Sequence, residues 1–278
     1  MTTANQPLVT IIMPTYNRVA FLEKSILNVL NQTYQNIELI VMDNASTDGS
    51  VEILNQVSKC DKRMMYVSEK DSGEVDATNK GITLASGDII GFKASDDFYV
   101  LDAIEQAVNF LENNSEYCAV SGDALFIDKN GNFLNRGMIT YRGVMDKAHI
   151  KHVLMFRQGG FTCHSCFFVQ RNAIAATGYF DPLFSLTPDF EFCMRLLSNG
   201  YKIGCIRKIL VHYTIHEDAG AIKYRKGAIK QNRLIRNKYN WSLFNETIRI
   251  SIGRFISYCS NRYRTPIVKR LLHTVWNG

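Results

Sequence analysis

The turn after the first strand-like run contains no glycine. "LVTIIMP" (8–14) passes straight into "TYNRVA". A dinucleotide-binding fold places G-x-G-x-x-G at that turn so that backbone can approach a pyrophosphate. A phosphate-cradling P-loop needs G-K-[ST], and that string occurs nowhere in the chain. Neither glycine-rich cradle is available to hold a phosphate here. No run of about 18 apolar residues occurs, so no membrane-spanning helix is expected. The opening "MTTANQPLVTIIMP" has no basic n-region and no cleavage site, so no secretory signal is expected. Seven cysteines, an odd number, are scattered through 278 residues and form no disulfide framework. A reduced, cytoplasmic setting follows as the expectation. Cys163 and Cys166 form one C-x-x-C, but no second pair completes a four-ligand zinc site, which leaves buried small thiols.

Acid is nearly missing from the last fifth of the chain. From Lys223 onward there are thirteen Lys or Arg and one acid, Glu246, a net +12. The whole chain is +6, so residues 1–222 carry 6 − 12 = −6. An acidic body joined to a basic tail suggests two jobs.

The body alternates strand and helix patterns. Buried strands are predicted at 8–14, 37–43, 64–69 and 88–92, where apolar and β-branched residues run together. Helices are predicted at 19–32, 46–58, 73–85 and 101–114; the second opens on "STDGS", a cap-rich start. Such alternation implies an α/β fold with a mostly parallel sheet flanked by helices. Beyond residue 115 the pattern changes to a hairpin (117–128 and 133–143 around "KNGN"), a strand at 165–171, a helix at 189–200 and an extended apolar stretch at 201–216. Ligands in open α/β sheets sit beyond the carboxyl ends of the strands. Three strands end in suggestive chemistry: "PTYNR", "DNASTD" and "ASDD". In the last, Asp96 and Asp97 are adjacent, and paired carboxylates at a strand end call for a shared cation or for donors that offset them. A hydrated Mg²⁺ or Mn²⁺ gripping a nucleotide diphosphate is one answer. A pair of turn-capping Asp residues is the other.

"VTIIMPTYNR", "IELIVMDNASTDGS" and "SEKDSGEVDATNKGITLASGDIIGFKASDDFY" resemble, in order and spacing, the glycosyltransferase family 2 enzymes with the GT-A nucleotide-diphospho-sugar fold. The resemblance covers about residues 7–216 and is nearest to bacterial transferases that build surface polysaccharides. It implies a catalytic domain over 1–221, with a nucleotide-sugar half (7–100) and an acceptor half (101–221), followed by a helical extension at 222–278. It implies Pro14, Thr15, Tyr16 and Arg18 around the base and phosphates, and Asp43 on the base. Asp71 and Asn79 become nucleotide contacts, although Thr78 stands where many relatives carry arginine. Asp96 would hold ribose or sugar, and Asp97 would ligate the metal; Ala94 replaces an acid that some relatives have. Asp189 in "LTPDFEFCMRL" would be the general base of an inverting transfer. His216 would contact phosphate or metal, and His164 and Glu191 would face the acceptor. The resemblance thus implies a metal-dependent transfer from a nucleotide-sugar donor, UDP-sugar before dTDP- or GDP-sugar, to a glycan or lipid-linked acceptor.

The basic tail, with Ile, Leu, Phe, Tyr and Trp among its cations, suits an anionic membrane surface at the inner face of the cell membrane. A helical pair packed on the core is the other reading of it, and its aromatic content leaves a homo-oligomer open. No nucleic-acid-binding pattern accompanies the charge. Sugar nucleotidyl transfer, and a degenerate transferase that only binds nucleotide or membrane, stand as alternatives.

Overall fold

A computed structural model describes residues 6–138, 145–147, 164–217 and 223–239. The four predicted strands of the nucleotide half are present: β1 (Val9–Thr15), β2 (Ile37–Asp43), β3 (Met64–Ser68) and β4 (Ile89–Phe92). Between them lie α1 (Val19–Leu30), α2 (Ser50–Cys60) and α3 (Glu74–Leu84). Parallel strands must be joined by crossovers, and each of these helices is one. β1 is buried along its whole length, as a strand covered on both faces should be.

A second set completes the sheet. It comprises β5 (Phe98–Tyr99), α4 (Ala103–Asn113), β6 (Ala119–Asp128), β7 (Phe133–Met138), β8 (Phe167–Gln170), α5 (Arg171–Thr177), α6 (Pro188–Ser198) and β9 (Ile203–Ile215). The strand order is β3-β2-β1-β4-β8-β6-β9-β5, with β7 paired to β6. The pairings give β1, β2, β3, β4, β6 and β9 one direction, and β5, β7 and β8 the opposite one. The sheet is therefore mixed and mostly parallel. Alternate residues feed two cores. Ile11, Leu39 and Phe168 meet α1 and α4 on one face. Ile12, Ile40 and Phe167 meet Phe190, Phe192 and Leu196 of α6 on the other.

Three local differences from the sequence reading have physical causes. The helix expected at 46–58 starts at Ser50, because the cap-forming residues before it serve a loop instead. Asp43 accepts from the Ser46 amide (3.0 Å) and hydroxyl, and Asp48 accepts from the Val19 (2.9 Å) and Ser50 amides. Gly49 then takes φ +98°, which favours glycine, just before the helix. The segment 165–171 divides into a single turn, a four-residue strand and the unforeseen α5. β5 is too short to show a period, yet it pairs with β9. The 139–143 part of the expected hairpin lies outside the described residues.

Of the basic tail, one helix is described: α7 (Arg225–Lys238). It packs on α6, with Ile235 fully buried. Residues 240–278, on which the membrane and homo-oligomer expectations chiefly rest, lie outside the described residues. No described helix is long and apolar enough to cross a membrane.

Candidate active site

The carboxyl ends of β1, β2 and β4 open side by side. At the end of β1, Pro14 is buried and the Thr15 hydroxyl is buried with no hydrogen-bond partner among the described residues. Tyr16 follows, 53% exposed. Asn17 adopts φ +50°, and its amide donates to the Ser46 hydroxyl at 2.8 Å. At the end of β2, Asp43 is buried and its carboxylate also accepts from the Ser68 hydroxyl at 2.6 Å. The Asn44 side chain accepts from the Asp71 amide (2.8 Å), and the Asp71 carboxylate accepts from the Gly73 amide (2.7 Å). Burial raises the Asp71 carboxyl above its ordinary value. These hydrogen bonds tie the loops of Asp43 and Asp71 to the end of β1, which Tyr16 follows.

The adjacent carboxylates after β4 occupy different environments. Asp97 is fully buried. One of its oxygens accepts from the Thr214 amide at 2.9 Å and the other from the Ser165 hydroxyl. Beneath it lies Lys93, equally buried, whose ammonium donates to the Asp97 carbonyl at 2.6 Å and to the Ser25 hydroxyl. Burial pushes Asp97 up and Lys93 down, each partly offset by the other's charge. Asp96 faces outward. Its carboxylate meets His216 Nε2 at 2.9 Å and Arg18 Nε at 3.4 Å, with 14% of the side chain exposed. Phe21 stacks on the His216 ring, 5.3 Å between centroids, and fixes its plane. The cation that offsets the pair from within is thus Lys93, and Asp96 is the carboxylate left to face a ligand.

A second group faces the same cleft. His164 lies against Phe92 and Phe180, and neither ring nitrogen has a hydrogen-bond partner among the described residues. Burial lowers its basicity, while the neighbouring Asp189 opposes that shift. Asp189 lies in the first turn of α6, where the helix dipole favours an acid, but burial raises its carboxyl all the same. Glu74, in the first turn of α3, places a carboxylate oxygen 3.9 Å from His164 Nε2. Desolvation and the Asp96 charge raise the Glu74 carboxyl, and Glu74 in turn raises that of Asp189.

Two predicted site residues are occupied elsewhere. The Asn79 amide donates to the Phe180 carbonyl (2.9 Å) and accepts from the Phe180 amide (3.0 Å), tying α3 to the segment before α6. Glu191 is 0% exposed, and its carboxylate is held by Arg195 (2.9 Å), Lys238 (2.9 Å) and the Tyr239 hydroxyl (2.8 Å). The contacts thus join Arg18, Asp96 and His216 beside Asp97, tie the loops of Asp43 and Asp71 to the end of β1, and set His164 near Asp189 and Glu74. Sequence reasoning missed Lys93, Ser165, Thr214 and Glu74. A lysine directly after a strand end, three residues before an acidic pair, was the one available signal.

Comparisons with known proteins bear on the family and the fold. The profile of the family described as "Glycosyl transferase family 2" matches residues 10–178, and that of "Glycosyl transferase family group 2" matches residues 95–276. A Haemophilus influenzae protein described as an uncharacterized glycosyltransferase is 43% identical over 46% of this chain, and the match spans about half (51%) of that protein. The "Putative teichuronic acid biosynthesis glycosyltransferase TuaG" of Bacillus subtilis is 25% identical over 96% of this chain and 98% of its own length. Among solved structures, the mannosyltransferase PcManGT of Pyrobaculum calidifontis, in complex with GDP-Man and Mn²⁺, superposes with a TM-score of 0.65 at 18% identity, covering 98% of this chain and 80% of that one. S. aureus TarS 1–349 with UDP-GlcNAc gives 0.64 at 17% identity, covering 93% and 74%. The fold is the GT-A fold, and the chain belongs to glycosyl transferase family 2.

Proposed function

We propose that this protein is an inverting glycosyltransferase that moves a sugar from a nucleotide-diphosphate donor, UDP-sugar first, to a hydroxyl of a growing surface glycan or lipid-linked acceptor. One observation carries the reading: the Asp96 carboxylate lies with Arg18 and His216, while Asp189 stands apart, beside the His164 that Glu74 approaches at 3.9 Å. Inverting transfer needs a cation-rich side for the departing diphosphate and one base on the acceptor side. Relatives support the class of substrate. PcManGT was solved with GDP-Man and Mn²⁺, TarS with UDP-GlcNAc, and TuaG is named for teichuronic acid biosynthesis.

Asp96 and His216 fit a divalent ion, Mg²⁺ or Mn²⁺, better than Asp97 does. Asp96 Oδ2 pairs with His216 Nε2 and Arg18, but its Oδ1 has no hydrogen bond among the described residues, whereas both Asp97 oxygens are already accepting inside the protein. Among the described residues no cluster of three metal-ligating side chains occurs, which suits an ion bound largely through substrate phosphates. When bound, such an ion neutralises charge building on the departing diphosphate. Arg18 adds a fixed positive charge on the same side. Tyr16, exposed at the end of β1, offers its ring to the base, and Asp43 accepts from a base N–H, as Asp71 can. Asp189 takes the proton from the acceptor hydroxyl as that oxygen attacks. Its raised proton affinity makes it a stronger base than an ordinary aspartate. His164, neutral near pH 7, orients the hydroxyl through a ring nitrogen that is otherwise unpartnered.

α7 also shows an exposed face of Ile229 (62%), Leu234 (50%), Lys226 and Lys230, which supports docking of the tail on an anionic membrane. Co-sedimentation with anionic vesicles, absent with neutral ones, checks that reading. The chemistry is tested by product analysis with a panel of nucleotide sugars. Release of nucleoside diphosphate with an inverted anomeric centre, lost in Asp189→Asn, is expected. Formation of pyrophosphate from a sugar phosphate and a nucleoside triphosphate would replace this reading with nucleotidyl transfer.

A further inference from the structure

The segment that delivers Asp189 is gripped from behind by α7. Residues 181–191 include the turn before α6 and its first four positions. Gln231 accepts from the Leu186 amide at 2.8 Å and donates to the Leu183 carbonyl at 3.2 Å. Lys238 reaches both Asp181 (3.1 Å) and Glu191 (2.9 Å), and its ammonium lies 4.9 Å from the centroid of Phe184. The Tyr239 hydroxyl donates to Glu191, and Arg236 lies 5.7 Å from the centroid of the Phe190 ring. A Cβ on Gly227 would stand 2.5 Å from Leu186 Cδ1, so glycine lets the helix come this close. Every one of these contacts falls within eight residues of Asp189, and two fall on its near neighbours Phe190 and Glu191. From the cleft side, the described contacts of Asp189 are weaker: His164 and Glu74 act on it electrostatically, and its own carboxylate bonds only to the adjacent Phe190 amide.

We infer that α7, though it belongs to the basic tail, is a positioning element for the general base, acting through Glu191, Lys238, Tyr239 and Gln231. This rests on the reading of Asp189 as base. Glu191 is the pivot. It lies two residues beyond Asp189 on the opposite side of the same helix turn, and its carboxylate ties that turn to α7 and, through Arg195, to the carbonyls of residues 177–179. A helix turn held at that point presents Asp189 to the cleft at one angle. The catalytic unit then extends at least to Tyr239, rather than ending at residue 221.

The test uses the full chain with Lys238→Met, Tyr239→Phe, their double variant, and Lys238→Arg as the conservative control. Donor turnover is followed by nucleoside diphosphate release, with deuterium uptake of peptides covering 184–192 measured in parallel. The expected result is a fall in kcat of tenfold or more in the double variant, with donor KM within twofold of the parent and Lys238→Arg restoring most of the rate. Uptake by 184–192 should accelerate about tenfold, with α3 peptides unchanged. An unchanged kcat in a folded double variant overturns the inference. So does a rate loss that tracks only the folded fraction. If the parent shows no turnover with any donor, the proposed function fails, and unchanged uptake in 184–192 then separately removes the positioning role.

Discussion

Asn79 separates two views of the nucleotide half. Family resemblance makes it a nucleotide contact, whereas its amide is engaged at both ends with the main chain of Phe180. Asn79→Ala removes both hydrogen bonds and leaves an N–H and a C=O of a residue that is 3% exposed without partners. An unsatisfied buried polar group costs about 1–3 kcal/mol. Two such groups, partly reachable by water because Asn79 is only half-buried, sum to roughly 2–4 kcal/mol by the same figure. For a chain of this size each kcal/mol lowers the melting temperature by about 2–4 °C, so a drop of roughly 4–16 °C is expected. Differential scanning fluorimetry measures it, and calorimetric titration with UDP below the melting range measures nucleotide affinity. The expected outcome is a clear fall in Tm with nucleotide Kd changed less than threefold. An unchanged Tm with a tenfold or greater loss of affinity would refute the reasoning and return Asn79 to the nucleotide.

Other outcomes follow from the same geometry. Burial raises the Asp189 carboxyl, so the fraction of ionised base falls on acidification before that of an ordinary aspartate would; the acid limb of the kcat profile should lie above 3.8, and a limb at or below that value would count against Asp189 as the base. Glu191 is lowered relative to 4.5 because the hydrogen bonds from Arg195, Lys238 and Tyr239 outweigh its burial. Its stabilisation is therefore present above the unfolded value and lost as pH falls through the folded one, so Glu191→Gln should flatten the acid limb of a stability-versus-pH curve measured by urea unfolding. Tyr16→Ala should weaken nucleotide binding by roughly 5- to 150-fold, the range of about 1–3 kcal/mol for one base stacked on one aromatic ring, with Tm unchanged because the ring is exposed.

The nucleotide half was legible because its signals are local. β1, β2 and β4 are continuous apolar runs that stop at Pro14, Asp43 and, four residues past Phe92, the Asp96–Asp97 pair. Parallel strands covered on both faces leave such runs in any sequence. The roles of the two adjacent acids were not legible, because they are set across the fold. Ser165 and Thr214, 68 and 117 residues away, take up Asp97 and leave Asp96 exposed. The partners of Glu191 were hidden for the same reason: Lys238 and Tyr239, at the end of α7, lie 47 and 48 residues on. β5 and α5 were missed because two- and seven-residue elements carry too few positions to show a period. "STDGS" misled because Ser, Thr and Asp serve loops as readily as helix caps.

The first measurement is calorimetric titration of the parent, Asp96→Asn and Asp97→Asn with UDP, dTDP and GDP, with and without Mn²⁺. If Asp96 faces the donor and Asp97 braces the loop, one nucleotide should bind the parent in a Mn²⁺-dependent way. Asp96→Asn should then lose that dependence while keeping the parent's Tm, and Asp97→Asn, where it folds, should keep the dependence. Full Mn²⁺ dependence in Asp96→Asn, or no nucleotide binding by the folded parent, would contradict it.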